Sequence, residues 1–148
     1  MLTMCGTGLM SLTAFAAEKI DGTDVTWSFN NIDKTLTFEG KGAIPDYDNY
    51  TDEDGKVIIP WAGIDFTTVI FGEEVTGIGN FAFYNSMDLE NVTIPETVTS
   101  LGKGAFLNCK GLREITIEGA LTKIDSQTFA SCSSLEKVTL PTTITEIG

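Results

Sequence analysis

The chain has 148 residues, enough for one domain with a core of its own, and 42% of them are hydrophobic, so it is not composed like a disordered tail. It carries a net charge of -12 and no histidine. That acidity repels phosphate backbones and anionic lipid, which argues against nucleic-acid and membrane-surface binding, and the missing histidines exclude a histidine-based triad or metal site.

Residues 1–17 differ from the rest. Leu2 to Ala17 carries no charge, and Thr13-Ala14-Phe15-Ala16-Ala17 has the small residues of a signal-peptidase site. The stretch is too short and interrupted to span a bilayer. It reads as a signal peptide, truncated in front because the usual basic leader is missing. The alternative is a buried or disordered N-terminal segment.

Residues 18–60 read as a front module, a β-hairpin cap followed by an acidic loop. Val25, Trp27 and Phe29 alternate with polar residues; 30–34 supply a turn; Leu36 and Phe38 alternate again, and Gly40 and Gly42 end the second strand. A hairpin alone is marginal, so its apolar face is expected to cover the first unit of the segment after residue 60, with Trp61 sealing the joint. An independent small domain is the alternative. Asp46, Asp48, Asp52, Glu53 and Asp54 crowd one loop, but their spacing is not that of an EF-hand. They read as a solvated loop rather than a calcium site.

From 61 to 148 the chain repeats every 23 residues. Leu89, Leu112 and Leu135 form one column; Val92, Ile115 and Val138 a second; Ile94, Ile117 and Leu140 a third. Val75, Val98, Leu121 and Ile144 make another, followed by Ile78, Leu101, Ile124 and Ile147. Phe83, Phe106 and Phe129 are in register, beside Ala82, Ala105 and Thr128. Pro95 and Pro141 share a column with Glu118 between them. Upstream, Phe66, Val69 and Phe71 fall in the first three columns in weaker form.

The pattern predicts an α/β solenoid. In each unit two apolar residues two apart mark a short strand, such as Glu90 to Ile94. The spacing of Ala105, Phe106, Cys109 and Leu112 suggests one face of a short helical segment. Such a unit cannot bury its own apolar side, but stacked copies can, with the strands in a parallel sheet. The Phe column is expected to dominate the core. The array is expected to be incomplete at its C-terminus, because the chain stops at Gly148, where the next Ala-Phe is due.

Two strand columns should face outward: Thr93, Thr116 and Thr139, and the more varied Asn91, Glu114 and Lys137. Threonine suits a strand on propensity alone, and hydroxyl bonding between coils would explain it as well. The sharper reading makes these six residues the candidate binding face, since varied positions on a constant frame are where a solenoid can place specificity. Cys109 and Cys132 are one period apart. They read as small buried thiols; a disulfide is the alternative, and two thiols without histidine make a poor metal site. No phosphate loop stands out, and no acidic pair is distinguished as glycosidase carboxylates. No enzyme, cofactor or metal is therefore expected.

The stretch VTIPETVTSLGKGAFLNCKGLREITI resembles the BspA-like, or Treponema pallidum-type, leucine-rich repeats. Leu89, Val92, Ile94, Pro95, Val98, Thr99, Gly102, Ala105, Phe106 and Cys109 stand where that pattern has its fixed residues. The front segment, with VTWSF and LTFEGKGAIPDY, is similar to the one that leads such repeats in Gram-positive gut bacteria. Gly119, Ala120, Asp125 and Thr128 depart from the pattern. The resemblance implies a curved leucine-rich repeat stack, with strands on the concave side and helical segments on the convex side. It also implies export or surface attachment, and adhesion or contact with an extracellular protein or glycan. The competing expectation is a passive spacer or an accessory domain of a larger surface protein or enzyme.

Overall fold

The computed structural model describes residues 16–48 and 51–148, so most of the expected leader lies outside the described residues. Eleven strands and no helix are present among them. In order they are β1 (Glu18–Lys19), β2 (Asp24–Asn30), β3 (Thr35–Ile44), β4 (Thr68–Phe71), β5 (Val75–Ile78), β6 (Asn91–Ile94), β7 (Ser100–Leu101), β8 (Glu114–Ile117), β9 (Lys123–Ile124), β10 (Lys137–Thr139) and β11 (Glu146–Ile147).

The turn between β2 and β3 is built by its own side chains. The Asn30 side-chain oxygen accepts from the Ile32 amide at 2.9 Å, Asp33 accepts from the Thr35 amide at 3.1 Å, and Lys34 takes the left-handed conformation at φ 57°. The strands then pair antiparallel from Asn30↔Thr35 to Asp24↔Lys41. β3 does not end at Gly40. It bends at Gly40 (φ 91°) and Gly42 (φ 118°) and runs on to Ile44. Its first part pairs parallel with β4 and its second with β5. The front hairpin is thus continuous with the long sheet, ordered β1-β2-β3-β4-β6-β8-β10.

Each coil after β3 contributes two strands rather than one. The first apolar pair forms the long sheet, in register Asn91↔Glu114 and Glu114↔Lys137. The second band forms a shorter parallel row, β5 with β7 and β9 with β11. Pro95 opens the turn between the two, with the Val98 amide on the Pro95 carbonyl at 3.0 Å.

The expected helical segments do not form, and the expected α/β solenoid is instead an all-strand one. The reason lies in where the amides go. Along 81–86 alternate N–H groups leave the segment: Phe81, Phe83 and Asn85 donate to Lys103, Ala105 and Leu107 of the next coil at 3.0, 2.8 and 3.0 Å. The intervening Ala82, Tyr84 and Ser86 close tight turns within the segment. A helix would turn every amide back on its own chain. Left-handed residues also recur at both ends, Phe81, Gly104 and Gln127 at one and Asn85, Asn108 and Ser131 at the other. A non-glycine residue reaches that region only when the surroundings hold it there.

Between strands and turns lies one core. Phe83 stacks on Phe106 at 5.2 Å and 5°, and Phe106 on Phe129 at 5.9 Å and 12°. At the front, Trp61 stands edge-on to Phe38 at 4.8 Å and donates its indole N–H to the Ala82 carbonyl at 2.8 Å. The corner column holds Gly79 and Gly102 because a Cβ there would run into the backbone of the preceding turn. Asp125, in the same column, lies 3.5 Å from Lys123.

Candidate binding face

Strand alternation builds the site. In β6 Val92 and Ile94 are buried while Asn91 and Thr93 are exposed; β8 repeats this with Ile115 and Ile117 inside and Glu114 and Thr116 half-exposed. Parallel pairing without slip then stacks like on like: Thr93, Thr116 and Thr139 in one row, Asn91, Glu114 and Lys137 in the next. All six sequence-singled residues share one face. The Lys137 ammonium donates to the Glu114 carboxylate, an ion pair in the open.

The rows extend further than the repeat columns first suggested. Thr68 pairs with Asn91 on one side and Thr35 on the other, and Thr37 pairs with Ile70. Thr35, Thr37, Thr68 and Ile70 therefore belong to the same face. One period back from Asn91 and Thr93 the sequence has Thr68 and Ile70, so the repeat itself could have found them. The 23-residue period does not mark Thr35 and Thr37, because β3 lies outside the repeat and meets it only by pairing with β4 and β5.

The face is interrupted between β4 and β6. Where β6 and β8 pair over four residues, β4 and β6 pair over two. An opening of about 310 Å³ lies there, lined by Thr68, Val69, Ile70, Phe71, Asn91, Thr93 and Pro95. Ile70 is 51% exposed in it, an apolar side chain with a strand on either side. Where the front module meets the first coil, a second cleft of about 430 Å³ is lined by residues between Lys56 and Phe66 and between Tyr84 and Asp88, Ile59, Trp61 and Phe66 among them.

Other sequence candidates have local roles. The Asp46 carboxylate accepts from the Asn80 amide at 2.7 Å and Asp48 from the Asn80 side chain at 2.9 Å, while Asn80 accepts from the Lys103 amide at 2.8 Å. Asp52 accepts from the Asp54 and Lys56 amides at 3.0 and 2.8 Å. These carboxylates hold corners together, and no three possible metal ligands gather among the described residues. Cys109 and Cys132 are free thiols; each donates to the carbonyl of the coil before it, Phe83 and Phe106, at 3.1 Å. Burial pushes both thiols above their ordinary range.

Among solved structures, one shares this architecture and two others are similar over part of the chain. A leucine-rich repeat protein of Eubacterium ventriosum superposes with a TM-score of 0.63 at 26% identity, over 85% of this chain and 38% of that one. A leucine-rich repeat protein of Bacteroides ovatus is 30% identical over 56% of this chain and 21% of its own, with a TM-score of 0.49. A leucine rich cell surface protein of Faecalibacterium prausnitzii is 24% identical over 89% of this chain and 44% of its own, with a TM-score of 0.46. The chain thus spans less than half the length of each of these proteins. No curated protein matches it. Residues 61–148 match the family described as the BspA type leucine-rich repeat region, in six copies. With that match covering more than half of its length, the chain belongs to the BspA-type leucine-rich repeat family, a repeat typical of non-catalytic protein-interaction modules.

Proposed function

We propose that this chain is a secreted or cell-surface adhesion module that holds an extracellular protein or glycan against the open face of its long sheet. Asn91, Thr93, Glu114, Thr116, Lys137 and Thr139 supply the contacts. The observation that carries the reading is the register: rigid parallel pairing aligns a threonine row beside a row whose charge changes from coil to coil. An array with fixed spacing and varied polar tips suits recognition of a partner over several contacts. The uncharged Leu2–Ala17 stretch, with Ala14 and Ala16 as the small pair, supports export. No helix among the described residues is long and apolar enough to cross a membrane. The Leu-x-x-Val-x-Ile-Pro columns and the VTWSF front segment support the finer placement with Treponema pallidum-type repeats led as in Gram-positive gut bacteria.

The test is an array of matrix proteins and glycans probed with the purified chain, repeated with Glu114→Lys and Lys137→Glu. Loss of about tenfold in affinity, some 1.4 kcal/mol, is expected for the ligand that scores. Melting should stay within about 2 °C of the parent, since an exposed ion pair contributes little to stability. If no ligand scores, or if the one that scores is indifferent to every change on this face, the chain is a spacer or an accessory domain instead.

A further inference from the structure

We propose that the opening between β4 and β6 is the anchoring point of this face, and that it takes an extended cationic peptide segment bearing an apolar side chain. The proposal rests on the binding-face reading above and narrows it to one place.

The opening has a chemical cause. One coil further on, the Glu118 amide donates to the Ile94 carbonyl at 2.9 Å and extends the β6–β8 ladder. The residue in the Glu118 column before it is Pro95, which has no N–H, and the residue in the Ile94 column is Phe71. The Phe71 carbonyl thus lacks the donor that its counterpart has, and the strands part where the ladder stops. What is left is an apolar floor at Ile70 and a main-chain acceptor beside it. An incoming extended segment can supply both partners, a side chain over Ile70 and an N–H for the carbonyl.

Charge identifies the segment. From Val57 to Leu101 and Gly102 the chain has no lysine or arginine, yet it contains Asp65, Glu73, Glu74, Asp88, Glu90 and Glu96. Glu73 and Glu74 lie just beyond Phe71, and Glu96 just beyond Pro95; all three are exposed and make no ion pair among the described residues. The surroundings are anionic, which favours a Lys- or Arg-bearing partner and disfavours a second copy of this chain at net charge -12. At the other shortened ladder, β8 with β10, Pro141 stands in the Pro95 column. There Thr116 replaces Ile70, Thr142 replaces Glu96, and Gly119 and Ala120 replace Glu73 and Glu74, so that end lacks both the apolar floor and these three acids.

The experiment uses fluorescent short peptides alternating Lys with Leu, Lys with Ser and Glu with Leu, titrated with the full chain at about 0.05 and 0.15 M salt. The Lys–Leu peptide is expected to bind about tenfold tighter than either other peptide. Ile70→Ser should weaken it about fivefold or more, and Pro95→Gln, which restores the missing N–H, should also weaken it by closing the ladder. Changing Glu73, Glu74 and Glu96 together to Gln should flatten the salt dependence, while Ser133→Ala, in an exposed turn outside the strands of the face, should change nothing. Melting curves identify any variant that fails to fold, and Ile70→Thr, which copies the residue of the next coil, stands in for Ile70→Ser in that case. No binding of the Lys–Leu peptide, equal binding of Lys–Ser, or indifference to the Ile70 changes overturns the proposal. A scored array ligand that responds to Glu114 and Lys137 but not to Ile70 would overturn this anchoring site and leave the wider face intact.

Discussion

Phe106 is fully buried with an aromatic ring on each side, Phe83 and Phe129, each contributed by a neighbouring coil. Removing its ring leaves a cavity that two coils would have to close at once. Phe106→Ala is expected to destabilise the chain by about 3–5 kcal/mol in a denaturant titration. Phe129→Ala should cost less, since Phe129 is only partly buried. The cysteines make a second residue-scale case. They stack one coil apart, but each sulfur is turned to a carbonyl of the coil before it and not to the other thiol. For Cys109 burial is the main cause of the raised pKa, with the neighbouring Cys132 second. A thiol whose folded pKa exceeds its unfolded value stabilises the fold fully below the unfolded value, about 8.5, and loses that contribution as pH climbs above it. At about pH 8 alkylation of Cys109 should therefore be slow in the native chain and fast in denaturant, read by peptide mass mapping. Equal rates in the two states would place the thiol at the surface.

At the scale of elements, the turn segments decide what kind of solenoid this is. Ala105, Phe106, Cys109 and Leu112 have the spacing of a helix face, and they do point inward together. Tight turns bring the same residues inward while sending alternate amides to the next coil. The distinction is invisible in spacing, because both arrangements bury the same side chains. The local signals were the glycine at 104 and the asparagines at 85 and 108, residues that tolerate the left-handed region. Asn108 combines that conformation, φ 63°, with an amide donated to the Asn85 side chain. Asn108→Ala is expected to cost about 1–2 kcal/mol and Asn108→Gly less, because glycine relieves the backbone and loses only the side-chain bond. If Ala and Gly melted alike, backbone conformation would not be what this position selects.

For the whole molecule the front strand matters most. β3 pairs with both strands of the first coil, and Phe38 reaches Trp61, Phe71 and Phe83. We propose that the hairpin is a cap in this sense: it closes the edge and the core at once. Deleting 18–44 should expose those rings and abolish cooperative melting, with aggregation read by light scattering. A deletion variant that still melts in one sharp transition would mean the repeats stand alone.

Equal spacing of Leu, Val, Ile and Phe columns was sufficient to establish stacked coils, the inward faces and the six aligned polar positions. Each coil of that size lacks enough apolar neighbours of its own, so only stacking satisfies the pattern. Three features were settled by tertiary structure: turns in place of helices, the extension of β3 into the sheet, and the parting of the strands at Pro95. Each depends on which amide meets which carbonyl on an adjacent coil. A hydrophobic column records what must be buried, whereas a hydrogen bond between coils depends on the conformation of two segments far apart in the chain.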